Sequence, residues 1–203
     1  MEDKEKNMYQ KYRNQMKTGD VIAFSGKGRV SQIIKWKTGS QFSHVGIVLD
    51  SDMQGGVGHA VMLIESTSLK SIPDAVHNDI IKGVQIHFLS RRLESYDGKA
   101  WWMPLKNELD DFDKNKMQKW LRKKHYERTA YDSFQAIGAG ADLFDMVLGI
   151  ENEPDFSSLF CSELVTKALQ VGGVVSDDIN PSEQTPEDVA NFACFDDALP
   201  LFN

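Results

Sequence analysis

Short apolar runs dominate the first half of the chain, and apolar residues at three- and four-residue spacing dominate the second. "GDVIAF" (19–24) turns on Gly-Asp and then presents Val21, Ile22, Ala23 and Phe24, a strand-type run. "SHVGIVLD" (43–50) and "AVMLIEST" (60–67) predict two more strands, joined by a turn over 50–58 with Gly-Gly at its tip. "GVQIHFL" (83–89) alternates and predicts a fourth strand; "KAWWMPL" (99–105) predicts a fifth, ended by Pro104. Between the first two lies "GRVSQIIKWKTGS" (28–40), a short helix with Val30, Ile33, Ile34 and Lys37 along one side and Gly39 as its stop.

The second half reads as helices. Residues 109–133 begin with acids and fill with bases, the order a helix dipole favours, with Phe112, Met117, Trp120 and Leu121 as the apolar side. A second helical stretch follows over 133–149, carrying Phe134, Ile137, Leu143, Phe144, Met146 and Leu148. "SSLFCSELVTKALQ" (157–170) is a third helix, and "NPSEQTPEDVANF" (180–192) is a loop with a short helix starting near Pro186. Strands followed by helices predict an α+β fold, an antiparallel sheet packed with helices. Its 203 residues suit one domain over 1–203, with a polar helical lead-in over 1–18.

Composition narrows the function. Apolar residues make up 41% of the chain, enough for a core, and the net charge is −7. That balance offers no basic face for phosphates, so nucleic acid is not an expected partner. No apolar run approaches the roughly 20 residues of a membrane span, and the polar first residues do not read as a signal segment, so a cytoplasmic protein is expected. The two cysteines, Cys161 and Cys194, are expected as free thiols. There is no H-E-x-x-H, no Cys-x-x-Cys pair and no clustered carboxylate loop, so neither a metal nor another cofactor is expected. "GKGRVS" lacks the pattern of a phosphate loop. Cys194, among Phe192, Ala193 and Phe195, reads as buried and inert.

Cys161 is the candidate nucleophile. Ser158 as a cap would put Cys161 in the first turn of its helix, where backbone amides favour a thiolate and can hold an oxyanion. Leu164, Val165 and Ala168 follow at three, four and seven residues, so Cys161 shares the face that packs on the sheet, while Ser162 and Glu163 point elsewhere. Of five histidines, His44 opens an apolar strand, where an imidazole sits at the sheet's end. Pairing the 43–67 hairpin about Gln54 and Gly55 places His44 opposite Glu65. Cys161, His44 and Glu65 thereby take the roles of nucleophile, base and orienting acid. Singly, a helical cysteine fills gaps, a strand-opening histidine sits at a surface and a strand-ending glutamate is solvated. Only their arrangement argues for chemistry.

"GDVIAF", "FSHVGIVL", "LIEST", "AYDSF" and "FCSELV", taken in order, resemble the circularly permuted branch of the NlpC-type papain-like cysteine peptidases, the YiiX-like proteins. Lecithin retinol acyltransferase-like enzymes are more distant relatives. The motifs span about 19 to 169, and the histidine strand precedes the cysteine helix, as in the permuted branch. The resemblance implies a permuted papain-like fold with Cys161 as nucleophile, His44 as base and Glu65 as third polar residue. Tyr131, in a matching Tyr-Asp pair, would line the site or help with the oxyanion, with Ser43 and Ser162 as further candidates for substrate or oxyanion contacts. Residues 134–156 read as an insertion that, with "WWM" (101–103), covers the site or simply packs.

The resemblance also implies a substrate class: amide bonds in small peptides or amino-acid conjugates like those of cell-wall peptides. Two alternatives stay open. One is a lipid or thioester acyl hydrolase or acyltransferase on the same triad, with Trp101, Trp102 and Phe144 suited to an acyl chain. The other is a non-catalytic binding module. A monomer is expected, with a basic patch around Arg91 and Arg92 or over 122–124 to offset the acidic surface.

Overall fold

The computed structural model describes residues 7–27, 40–50, 60–127 and 157–202. In chain order they form α1 (Asn7–Tyr12), β1 (Val21–Gly26), β2 (His44–Asp50), β3 (Met62–Thr67), β4 (Gly83–Phe88), α2 (Leu89–Glu94) and β5 (Gly98–Met103). Then come α3 (Asp111–Tyr126), α4 (Ser157–Val171), a 3-10 turn (Pro181–Glu183), α5 (Pro186–Ala190) and β6 (Leu199–Phe202). The strands make one six-stranded sheet in the order β4-β3-β2-β1-β5-β6. Every neighbouring pair is antiparallel. The α+β class expected from the strand-then-helix pattern is therefore present.

Period-two alternation sorts the strand residues onto two buried faces. Val21, Ala23, Val45, Ile47, Ile64, Val84 and Ile86 meet Met117 and Leu121 of α3 and Cys161, Leu164, Val165 and Ala168 of α4. Ile22, Phe24, Val48, Leu63 and Trp102 form the other core with Tyr9, Met16, Leu89 and Leu93. A sheet covered on both sides explains why its central strands read as unbroken apolar runs.

Local signals fix the helix ends. Asp110 caps α3, its side chain accepting from the Asp113 amide; Asp111 and Asp113 sit in the first turn, and Lys123, Lys124 and His125 in the last. Thr185 and Asp188 form a reciprocal capping box at α5, with Pro186 in the first turn. Gly19 has φ +97°, the left-handed turn that brings the chain into β1. Asp20 beside it accepts from Trp102 Nε1 (2.8 Å), the Leu105 amide (2.9 Å) and the Lys17 amide (2.9 Å), which pins β1 to β5.

Several expectations need correction. Phe112 is exposed, so Met117 and Leu121 carry the α3 contact. The lead-in is less polar in role than in composition, because Tyr9 and Met16 are buried against the sheet. Helix α2 and strand β6 have too few residues to show a period and were not expected. The helix over 28–40, the tip of the 50–58 turn, the 133–149 helix, the 134–156 insertion and Phe144 lie outside the described residues. Among the described residues, no helix is long and apolar enough to cross a membrane.

Candidate active site

Helix α4 lays its apolar side across β2 and β3 and so presents Cys161 to the start of β2. The Val45 amide donates to Cys161 Sγ at 3.4 Å. His44, one residue earlier, opens β2, and its ring stands between two acidic partners. Nε2 lies 2.5 Å from Glu65 Oε2. The ring also hydrogen-bonds the Cys161 thiol, which leaves Nδ1 as the nitrogen facing sulfur. All three side chains are buried: Cys161 and Glu65 are 0% exposed and His44 is 8% exposed. The expected trio is therefore brought together.

Two details differ from the expectation. The β2–β3 register pairs Ile47 with Ile64 and Val48 with Leu63. Continued toward His44, it sets His44 opposite Thr67, two residues beyond Glu65. An even shift preserves the face, so Glu65 still shares a surface with His44 and reaches it along the diagonal. Helix α4 begins at Ser157, not after a Ser158 cap, so Cys161 is its fifth residue and falls just beyond the first turn. The Val45 amide, rather than an uncapped helix end, is the backbone donor at the sulfur.

Two contributors were not singled out from sequence. Glu65 Oε1 accepts from Arg92 Nε at 2.8 Å and pairs with His87 Nδ1 at 2.9 Å. Arg92 is itself buried, with its guanidinium 4.6 Å from the Phe24 ring centre and 4.9 Å from that of Tyr96. It belongs to the interior, not to a basic surface patch. A signal for His87 exists in the alternation of β4. Gln85 pairs with Glu65 and His87 with Leu63, so all three polar side chains share one face. Arg92 lies in the short α2 and leaves no periodic trace.

Burial opposes ionising Glu65, but the Arg92 guanidinium, then the hydrogen bonds from His44 and His87, hold its carboxyl well below the usual range. Burial likewise opposes charge on His44, yet the interactions with Cys161 and then Glu65 outweigh it and push the imidazolium up to about 10. The arrangement thus holds a buried imidazolium between the Cys161 sulfur and the Glu65 carboxylate.

The remaining candidates are placed elsewhere. Ser43 Oγ accepts from the Gly26 amide at 3.1 Å and lies 3.4 Å from the Phe24 carbonyl, fastening the end of β1. Ser162 Oγ donates to the Gln184 carbonyl at 2.5 Å and ties α4 to the following turn. Tyr131 lies outside the described residues. Trp102 is buried on the opposite sheet face, bonded to Asp20, and so is unavailable to an acyl chain at Cys161. Glu163 is also buried, and burial pushes its carboxyl up to about 7. Cys161 and Cys194 are not joined in a disulfide.

The coupling has a pH signature. His44 is raised above its unfolded value of 6.5, so its stabilisation is complete below that pH and lost as pH rises through about 10. Cys194 and Tyr96, raised to about 11 and about 12 chiefly by burial, add alkaline losses of the same sign. Replacing Cys161 by Ala removes the largest raising influence on His44 and leaves those two in place. Urea unfolding between pH 7 and 10 should show the wild type losing stability more steeply than C161A. Parallel curves would mean that thiol and ring are not coupled.

No family model matches the chain, and no curated protein matches its sequence.

Proposed function

We propose that the protein is a cysteine hydrolase that cleaves amide bonds in small peptides or amino-acid conjugates through Cys161, His44 and Glu65. The observation that carries the reading is the His44 ring held between the Cys161 thiol and the Glu65 carboxylate. Cys161 Sγ attacks the substrate carbonyl carbon, and the carbonyl electrons move to oxygen. His44 gives the Nδ1 proton to the leaving nitrogen as the C–N bond breaks, and a thioester remains on Cys161. Water then attacks the thioester, His44 takes its proton, and the acid leaves with the thiolate restored. Glu65 holds the ring through Nε2 and balances its charge throughout. Because Cys161 and His44 are buried, substrate entry requires an opening above the pair.

The fold reading is a permuted papain-like domain, supported by a histidine strand that precedes the cysteine helix on one antiparallel sheet. Two cysteines that form no disulfide fit a reducing compartment such as the cytoplasm, and a monomer is the simplest working unit. Small amides are then more accessible substrates than an intact external wall.

A panel of dipeptides, γ-glutamyl amides and short acyl thioesters, assayed with iodoacetamide and with EDTA, tests the reading. Amide turnover abolished by iodoacetamide and retained in EDTA is expected. Turnover confined to thioesters would move the substrate to acyl groups on the same triad. Turnover that survives iodoacetamide and vanishes with EDTA would remove the thiol from the mechanism.

A further inference from the structure

A second cluster of ligating side chains lies away from the thiol, where the 70–82 segment meets the end of α3. Asp74, His77 and His125 each place one ligand atom so that all three lie within 4.8 Å of one another. We propose that these residues bind one divalent transition-metal ion, with zinc as the representative ion, and that the ion pins the 70–82 segment to α3.

The carboxylate is held in advance. Asp74 is 1% exposed; its Oδ1 accepts from the amides of Val76 (2.9 Å) and His77 (2.8 Å), and its Oδ2 accepts from that of Ile86 (2.7 Å). Its own amide donates to the Asp79 carbonyl at 2.8 Å, which closes the turn around it. His125 is buried in the last turn of α3, with Nε2 2.8 Å from Asp74 Oδ2. Metal bonds of about 2.0–2.1 Å set neighbouring donor atoms about 3 Å apart. The Asp74–His125 pair already has nearly that spacing. A metal ion there is bound by the Nε2 lone pair of a neutral His125 ring whose proton sits on Nδ1, in place of the contact between Nε2 and Asp74 Oδ2.

His77 completes the set. Its ring stacks on that of His125, with centres 4.9 Å apart and planes 15° from parallel. Parallel rings do not converge on one ion, so His77 must turn out of the stack and close by roughly 1.5 Å to reach the bonding spacing. It is exposed, so the turn meets no packing and leaves a side open to water as a fourth ligand. Two imidazoles and one carboxylate are the donors of zinc and its transition-metal neighbours rather than of calcium or magnesium. The spacing explains why the sequence hid the site: Asp74 and His77 are close in the chain, but His125 arrives from another element. The site is separate from the thiol chemistry and does not depend on it.

The test is zinc titration calorimetry on the full chain carrying Cys161→Ala and Cys194→Ala, which removes thiols as competing ligands. One zinc per chain is expected, together with a raised Tm. In that background His77→Ala, an exposed change that leaves the fold intact, should weaken binding by about tenfold or more. His77→Cys, which supplies another zinc ligand, should retain it. Zinc binding equally well to the His77→Ala protein, or no binding at about 100 µM zinc, where even weak three-ligand sites fill, would overturn the proposal and leave a stacked histidine pair that only packs.

Discussion

Cys161→Ala is expected to abolish turnover, lowering it by roughly 10⁴-fold or more, while the protein remains folded. The thiol is the only atom in the trio that can form the acyl bond, so nothing nearby can substitute for it. Its loss removes one buried sulfur from a helix still held by Leu164, Val165 and Ala168, all fully buried. The cost to stability should be on the order of 1 kcal/mol. Hydrolysis assays paired with urea melts check both halves. Full activity in a folded Cys161→Ala protein would end the enzyme reading.

Glu65→Gln is expected to act on stability more than on chemistry. The charge at Glu65 answers Arg92 as well as His44, and both cations are buried. A neutral amide leaves the guanidinium uncompensated, at a cost of about 3–5 kcal/mol. For a chain of this length that lowers Tm by about 10 °C. The acid side changes too. Glu65 is depressed in the fold, so its stabilisation is present above about 4.5 and lost as pH falls through its folded value. Glu65→Gln should remove that part of the acid slope. Turnover should fall less than in Cys161→Ala, since Gln still hydrogen-bonds the ring. Adding Arg92→Met should recover part of the lost stability, because the stranded charge goes with it. Losses that simply add would show that Glu65 and Arg92 are not a pair.

The strands and the face of α4 were legible because period-two and period-3.6 patterns survive in any window of the chain. Met117, Leu121 and Leu164 could be placed inward on that ground. Phe112 stands roughly 140° and 180° round α3 from Met117 and Leu121, so the same period puts it on the outer side, where it is exposed. Apolar character alone does not assign a residue to the buried side of a helix. The Cys161–His44–Glu65 trio could be read because strand pairing tolerates an even register error: His44 and Glu65 share a face whether the strands align at 65 or at 67. Arg92 and the Asp74–His77–His125 cluster could not be read. A long side chain from a six-residue helix and a histidine some fifty residues from its neighbours meet only through tertiary packing.

The proposed mechanism requires His44 to govern the reactivity of Cys161. The most direct measurement is the rate of iodoacetamide modification at about pH 6, read by peptide mass in the wild type and in His44→Gln. Access to the buried pair is common to both proteins, so the ratio of rates reports the imidazole. Modification at Cys161 ahead of Cys194 is expected, slowed by about tenfold or more when His44 is replaced. Modification of Cys194 first, or a Cys161 rate indifferent to His44, would contradict it.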